Sequence, residues 1–195
     1  AAAQERQMPA AVDTAPGPEE LVKDAASVLA VQSEQWDTAL PLTLELVDRY
    51  ARPEYLARLA GVYGRMHQPT DETATWERFM TISPNPERAC PMLARAYRGL
   101  GQYEQALAAF KRCQAADPSN AKLVYYLGIG YEWAGRLDEA RTQYTQAIAM
   151  APPGNDYVVA LARLDLHGGA HADARDRAVG VLNLDPTNTE AALVA

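Results

Sequence analysis

The stretch GQYEQAL (101–107) returns further along the chain as GRLDEAR (135–141). The same offset relates further pairs, namely Leu93 and Leu127, Tyr97 and Tyr131, Phe110 and Tyr144, Cys113 and Ala147, and Pro118 and Pro152. Glycine, aromatic and proline residues that recur together at one spacing indicate stacked copies of a single supersecondary unit.

The repeat extends beyond these two copies in both directions. One further step of the same offset carries Gly135 to Gly169 and Ala140 to Ala174. Near the start of the chain, EQWDTAL (34–40) aligns with 101–107, at an offset that falls just short of two periods. Most of the chain is therefore built from one unit.

This pattern resembles the tetratricopeptide repeat, a helix–turn–helix unit of about 34 residues. The resemblance covers about residues 20–188, and the copies run over 20–52, 53–86, 87–120, 121–154 and 155–188. It implies an all-α fold, a right-handed superhelical solenoid of antiparallel helix pairs with no single central core.

Three copies depart from the family pattern. His67 replaces the glycine of the turn, Glu72 replaces the small residue of the second helix, and Asp165 replaces the tyrosine of the first helix. Pro41 falls inside the second helix of the first copy, where we expect it to kink or shorten that helix.

The consensus residues themselves are best explained by packing. In the copy 121–154, the small residues Gly128 and Ala140 let the two helix backbones approach each other. The large side chains of Tyr131 and Tyr144 fill the space around that crossing. We therefore assign the consensus positions to the fold and look for function elsewhere.

The two ends of the chain lie outside the clear repeats. Residues 1–18 are rich in Ala and Pro without an apolar period, so we expect a flexible tail. The chain starts without Met, which fits a removed export signal or the remainder of a longer protein. Residues 189–195 are either the start of a capping helix or part of a truncated further repeat.

Composition and motifs argue against several functional classes. The net charge of −7 disfavours a general nucleic-acid binder, and no apolar stretch is long enough for a membrane span. The chain contains no GxSxG, P-loop or HExxH motif. His167 and His171 are separated by Gly168-Gly169 at a predicted turn, so they do not form a metal site on one helix. We predict no enzyme activity, no cofactor, no metal and no small-molecule substrate.

Cys90 and Cys113 occupy positions 4 and 27 of one copy. Those positions face each other in an antiparallel hairpin whose turn is near 101–103. A disulfide fits this arrangement and an oxidising compartment; two buried apolar side chains fit it equally. The cysteines and the Ala/Pro-rich start favour an exported bacterial protein slightly over a cytoplasmic one.

The resemblance also implies a concave groove, lined by positions 2, 5, 6, 9, 12 and 13 of the first helices. Over four copies these positions hold seven basic and three acidic side chains in a chain of net negative charge. The candidate binding residues are Arg58, Arg65, Arg88, Met92, Arg95, Arg98, Lys122, Tyr125, Tyr126, Ile129, Trp133 and Arg163. The alternative is a solvated face on which some of the arginines pack between repeats.

We therefore expect a protein–protein interaction scaffold whose groove binds an acidic or C-terminal peptide of another protein. The family's two-carboxylate clamp is absent, because Ala57, Pro91 and Tyr125 stand where its lysine is needed. One alternative is a regulatory or substrate-selecting segment of a larger enzyme or of a secretion or envelope complex. Polyanion binding by the groove is a weaker alternative.

Overall fold

The computed structural model describes residues 15–150 and 155–195. Within these ranges the protein is all-α and has no strand. Its helices are α1 (Pro18–Gln32), α2 (Trp36–Tyr50), α3 (Pro53–Arg65), α4 (Pro69–Ile82), α5 (Cys90–Gly99), α6 (Tyr103–Ala116), α7 (Ala121–Trp133), α8 (Leu137–Met150), α9 (Asn155–His167), α10 (His171–Leu184) and α11 (Thr189–Val194). A 3₁₀ turn, Pro86–Ala89, precedes α5. The predicted fold class, antiparallel helix pairs of the tetratricopeptide type, is confirmed.

One turn geometry is repeated along the chain. A residue with left-handed backbone follows each of α1, α3, α5, α7 and α9: Glu34 (φ 54°), His67 (56°), Gly101 (71°), Gly135 (73°) and Gly169 (81°). The amide of the next residue donates to a carbonyl five residues back, at 2.9 Å in every case. This is the hydrogen bond that commonly closes a helix end at a left-handed residue. The turn is therefore kept in the degenerate copies, where Glu34 and His67 adopt a backbone conformation that favours glycine.

The chain divides into two compact units, Ala1–Gln102 and Tyr103–Ala195. In its described part, unit 1 contains α1 to α5, and unit 2 contains α6 to α11. The division falls between α5 and α6, inside the predicted copy 87–120. The predicted tail 1–18 lies largely outside the described residues, and α1 begins at Pro18. Pro152 also lies outside them.

In unit 1, α1 is held to α2 and α3 by polar contacts as well as apolar ones. The buried carboxylate of Glu20 accepts hydrogen bonds from Arg52 and from the Tyr55 hydroxyl, the latter at 2.8 Å. The buried hydroxyls of Ser27 and Thr43 lie 2.7 Å apart. Each of these buried polar groups has a hydrogen-bond partner. Burying them therefore leaves no unpaired donor or acceptor that would destabilise the packing of α1.

Pro41 is expected to kink or shorten the second helix; it does not shorten it, since α2 continues to Tyr50. A proline removes the amide that would bond the carbonyl four residues earlier, here that of Asp37. Both Pro41 and Asp37 are exposed, so water can satisfy that carbonyl. The helix therefore continues past the proline.

In unit 2, Tyr144 fills the crossing of α7 and α8 and packs with Ala140, Ala160, Leu161 and Leu164. Asp165, at the consensus tyrosine position, is buried and bonded by Arg141 of α8 and Arg177 of α10. The carboxylate and its two arginines thus replace an aromatic side chain between these helices.

The C-terminal helix α11 packs onto the end of the array. Its Ala191 is buried in a cluster with Val159 of α9 and Val181 of α10. The Asn188 side chain accepts the Ala191 amide at 2.8 Å and caps the helix. Throughout the described ranges, no helix is both long and apolar enough to cross a bilayer.

Candidate protein-binding surfaces

The predicted groove residues of unit 1 come from α3, the 3₁₀ turn and α5; we call this set the arginine face. It comprises Arg58, Arg65, Arg88, Met92, Arg95 and Arg98. All of these arginines except Arg58 are exposed. Most of the predicted positive charge of this unit therefore lies at its surface.

Arg58 is already engaged within the fold. Its guanidinium donates to Asp24 of α1 at 2.6 Å and lies 5.7 Å from the ring centre of Tyr55. Its side chain is only 17% exposed. Its main contacts therefore stabilise the packing of α1 on α3.

Arg65 and Arg95 contact neutral side chains. The Arg65 guanidinium lies 5.9 Å from the Trp36 ring centre, and Arg95 donates to the Met92 sulfur at 3.5 Å. Within the described ranges, neither Arg65 nor Arg88 forms a salt bridge. Two exposed guanidinium groups without a carboxylate can bind an external one through paired hydrogen bonds.

Beneath this face lies a buried carboxylate. A Cβ built on Gly64 would lie 3.1 Å from both carboxylate oxygens of Glu72. Burial raises the pKa of Glu72, while the nearby Trp76 side chain and the charge of Arg95 lower it in part. Glycine at 64 thus makes room for an acidic side chain where the family has a small one.

A cavity of about 460 Å³ opens in unit 1 beside Arg88. Its lining residues are Pro53, Glu54, Ala57, Trp76, Phe79, Ser83, Pro84, Asn85, Arg88 and Ala89. Trp76 and Phe79 meet edge to face, with ring centres 5.6 Å apart. Sequence reasoning missed these two residues because they lie on a second helix, outside the positions that define the groove.

The predicted residues of unit 2 include neighbouring aromatic rings flanked by two cations. We call this set the aromatic face. It comprises Lys122, Tyr125, Tyr126, Ile129, Trp133 and Arg163. Tyr126 lies 5.7 Å from Tyr125 and stacks on Phe110 at the same centre distance. Phe110 in turn contacts Trp133 at 5.9 Å. Phe110 is buried. Tyr125, Tyr126 and Trp133, which pack around it and each other, are half-buried and form a rigid surface.

Tyr157 joins this surface although the groove positions did not include it. Its ring centre lies 4.9 Å from that of Tyr125, which also contacts Tyr144 at 5.7 Å. Burial raises the pKa of Tyr125 to about 12, so its hydroxyl stays protonated at neutral pH. Its position in the sequence, directly after the predicted groove residue Asp156, is the signal that could have pointed to Tyr157.

The charges of the aromatic face are partly satisfied. Glu132 accepts the Tyr144 hydroxyl at 2.7 Å and lies 3.4 Å from Arg163. Lys122 is exposed, with its ammonium 5.7 Å from the Tyr126 ring centre. Ile129 packs against the core cluster around Tyr144. Area, rather than free charge, dominates this surface.

Other candidate groups offer little chemistry. His167 ends α9 and His171 begins α10. Across residues 15–150 and 155–195, no group of three or more His, Cys, Asp or Glu side chains is arranged to hold a metal. Cys90 and Cys113 are buried, and neither has a free thiol. That the two bridge each other stays a prediction.

Comparison with known proteins agrees with this description. A tetratricopeptide-repeat family model matches residues 97–164. Tetratricopeptide repeat protein 8 of Caenorhabditis elegans is 24% identical over 97 residues, half of this chain and 19% of the relative. The chain thus spans about a fifth of the length of that relative.

Solved structures show the same fold. MamA (residues 41 to the end) of Desulfovibrio magneticus RS-1 superposes with a TM-score of 0.73 at 19% identity, covering 90% of this chain and 99% of that one. PilW, a type IV pilus biogenesis factor, superposes with a TM-score of 0.72 at 18% identity, covering 90% and 82%.

Helix pairs with one repeated turn and a small residue at the α7–α8 crossing define a helical repeat module. Within that class, residues 97–164 match the tetratricopeptide-repeat family model, and the helix pairs resemble those of the solved structures. Modules of this type are generally non-enzymatic and act by binding other proteins.

Proposed function

We propose that this protein is a non-enzymatic scaffold that binds an acidic segment of a partner protein on the arginine face of unit 1. The aromatic face of unit 2 is a second contact surface on the same first-helix positions. The carrying observation is that Arg65 and Arg88 are exposed and lack a salt bridge within the described ranges. Both guanidinium groups are free to bind a carboxylate.

Charge and area contribute differently to such binding. Exposed arginines accelerate the encounter with an acidic segment and set its salt dependence. Half-buried tyrosine and tryptophan supply contact area with few rotatable bonds, which is typical of residues that dominate binding energy. The proposal therefore predicts a partner that carries carboxylates for the arginine face and apolar or aromatic side chains for the aromatic face.

The test uses fluorescent peptides of ~nine residues, acidic or with every acid replaced by glutamine. The intact chain should bind the acidic set more tightly, and added salt should weaken that preference. The double variant Arg65→Glu, Arg88→Glu should lose the preference. Arg175→Glu makes half of that charge change at an exposed position on α10 and should retain the preference in full.

Two results would overturn the proposal. Equal binding of acidic and glutamine peptides removes the charge argument. Tighter binding of a single-stranded oligonucleotide than of any acidic peptide, with a steep salt dependence, would instead favour polyanion recognition.

A further inference from the structure

The cavity beside Arg88, which we call the Trp76 pocket, has the layout of a side-chain-binding site. Its floor is apolar and formed by Ala57, Trp76, Phe79 and Ala89. Its volume of about 460 Å³ falls in the range of roughly 300–1,000 Å³ typical of ligand pockets. Covering the apolar floor with an apolar group removes that surface from water, which is favourable.

The walls of the pocket are held in place by short-range hydrogen bonds. The Ser83 amide donates to the Phe79 carbonyl at 2.9 Å, and the Ser83 hydroxyl accepts the Asn85 amide at 3.2 Å. The Arg88 amide donates to the Asn85 carbonyl at 3.3 Å. Prolines 53 and 84 further restrict the rim. A preformed pocket avoids the ordering cost that a flexible one incurs on binding.

The rim of the pocket carries one positive and one negative side chain. Arg88 lines one side and forms no salt bridge in the described part of the chain, whereas Glu54, on α3, is exposed on the rim. A carboxylate beside the bound group is attracted by the first and repelled by the second. The rim therefore selects an occupant whose acid lies towards Arg88.

We propose that the Trp76 pocket receives one aromatic side chain of the partner, next in sequence to an acidic residue that pairs with Arg88. This inference rests on the proposed function and names the anchor of the bound segment. An aromatic ring suits the floor because Trp76 and Phe79 meet edge to face and, although both are largely buried, both line the pocket.

The experiment crosses two properties of the peptide. Four peptides carry tryptophan or alanine at the centre and acidic or glutamine flanks. They are titrated against the wild type, against Ala57→Leu, which narrows the pocket, and against Ala74→Leu, a matched change at an exposed position of α4 that does not line the pocket. Thermal melts check that each variant is folded.

The tryptophan-centred acidic peptide should bind about tenfold more tightly than its alanine counterpart. Ala57→Leu should abolish that advantage and keep the preference for acidic flanks, and Ala74→Leu should change neither. In the wild type, the tryptophan-centred peptide alone should shift the indole N–H resonance of Trp76, assigned with Trp76→Phe. This measurement does not depend on the folding of Ala57→Leu.

The pocket and the proposed function fail separately. A preference for acidic flanks without a preference for tryptophan overturns the pocket and leaves the function standing. A tryptophan preference that Ala57→Leu removes, without any preference for acid, overturns the acidic partner and leaves the anchor standing. Absence of binding by all four peptides overturns both.

Discussion

The ring of Tyr144 occupies the place that a β-carbon on Gly128 would need. A Cβ built on Gly128 would lie 2.5 Å from Cε1 and 2.6 Å from Cδ1 of that ring. Tyr144 is fully buried, and its hydroxyl donates to Glu132. The ring therefore has little room to move away, and the approach of α7 to α8 depends on the glycine.

Gly128→Ala should lower the free energy of unfolding by about 1–3 kcal/mol, the usual cost of overpacking a core. Gly180→Ala is the control, because a Cβ at this exposed position inside α10 meets nothing within 4 Å. That change should stabilise the protein by about 0.5–1 kcal/mol, since alanine favours helix over glycine. Urea denaturation measures both, and equal effects would contradict this account of the crossing.

His67→Gly should stabilise the protein by about 1 kcal/mol, because a side chain at a left-handed backbone position is strained. His67, with φ 56°, follows α3 at the same position of the turn at which Gly135, with φ 73°, follows α7. The converse change, Gly135→Ala, should destabilise the protein although a Cβ there meets nothing within 4 Å. Thermal unfolding of both variants tests this, and a lower melting temperature for His67→Gly would show that the histidine makes a compensating contact.

Glu72→Gln should raise stability at neutral pH and flatten its pH dependence. Burial raises the pKa of Glu72 in the folded protein above its unfolded value. Between those two pKa values the folded state binds a proton that the unfolded state has released, so stability falls as pH rises through this window. The glutamine keeps the shape and removes the charge.

The measurement is the free energy of unfolding of wild type and variant at a series of pH values from mildly acidic to neutral. The difference should grow as pH rises and level off once Glu72 is ionised. A difference that does not change with pH would mean that Glu72 is not the titrating group.

Asp165→Ala should cost about 1.5–3 kcal/mol, the range for hydrogen bonds to charged groups. Arg141→Ala and Arg177→Ala should each cost less, because the other arginine still holds the buried carboxylate. Chemical denaturation of the three single variants checks this order, and an arginine variant that costs as much as Asp165→Ala would contradict it.

Thiol titration in denaturant tests the bridge predicted between Cys90 and Cys113. The two cysteines should give no reactive thiol without reductant and two after reduction. A disulfide removes conformations from the unfolded chain, so reduction should also lower the melting temperature. Two reactive thiols in the protein before reduction would instead leave both residues as buried apolar side chains.

The sequence by itself determined the helix pairs and their turns, because each turn residue acts within a few residues of its own helix. The step from Gly101 to Gly135 marks turns whose hydrogen bonds span only five residues. The alignment of 34–40 with 101–107 also anticipated the turn at Glu34. Local geometry of this kind is encoded locally.

Which groove residues remain available was decided by tertiary structure. Arg58 and Arg65 have the same residue type and lie on the same helix, yet Arg58 is paired with Asp24 and Arg65 is not. The pocket at Trp76 also needs side chains from two helices and a loop to meet. Asp24 is more than thirty residues from Arg58 in the chain and comes near it only when neighbouring copies pack together. The repeat period therefore gives the position of a side chain, and packing decides what it contacts.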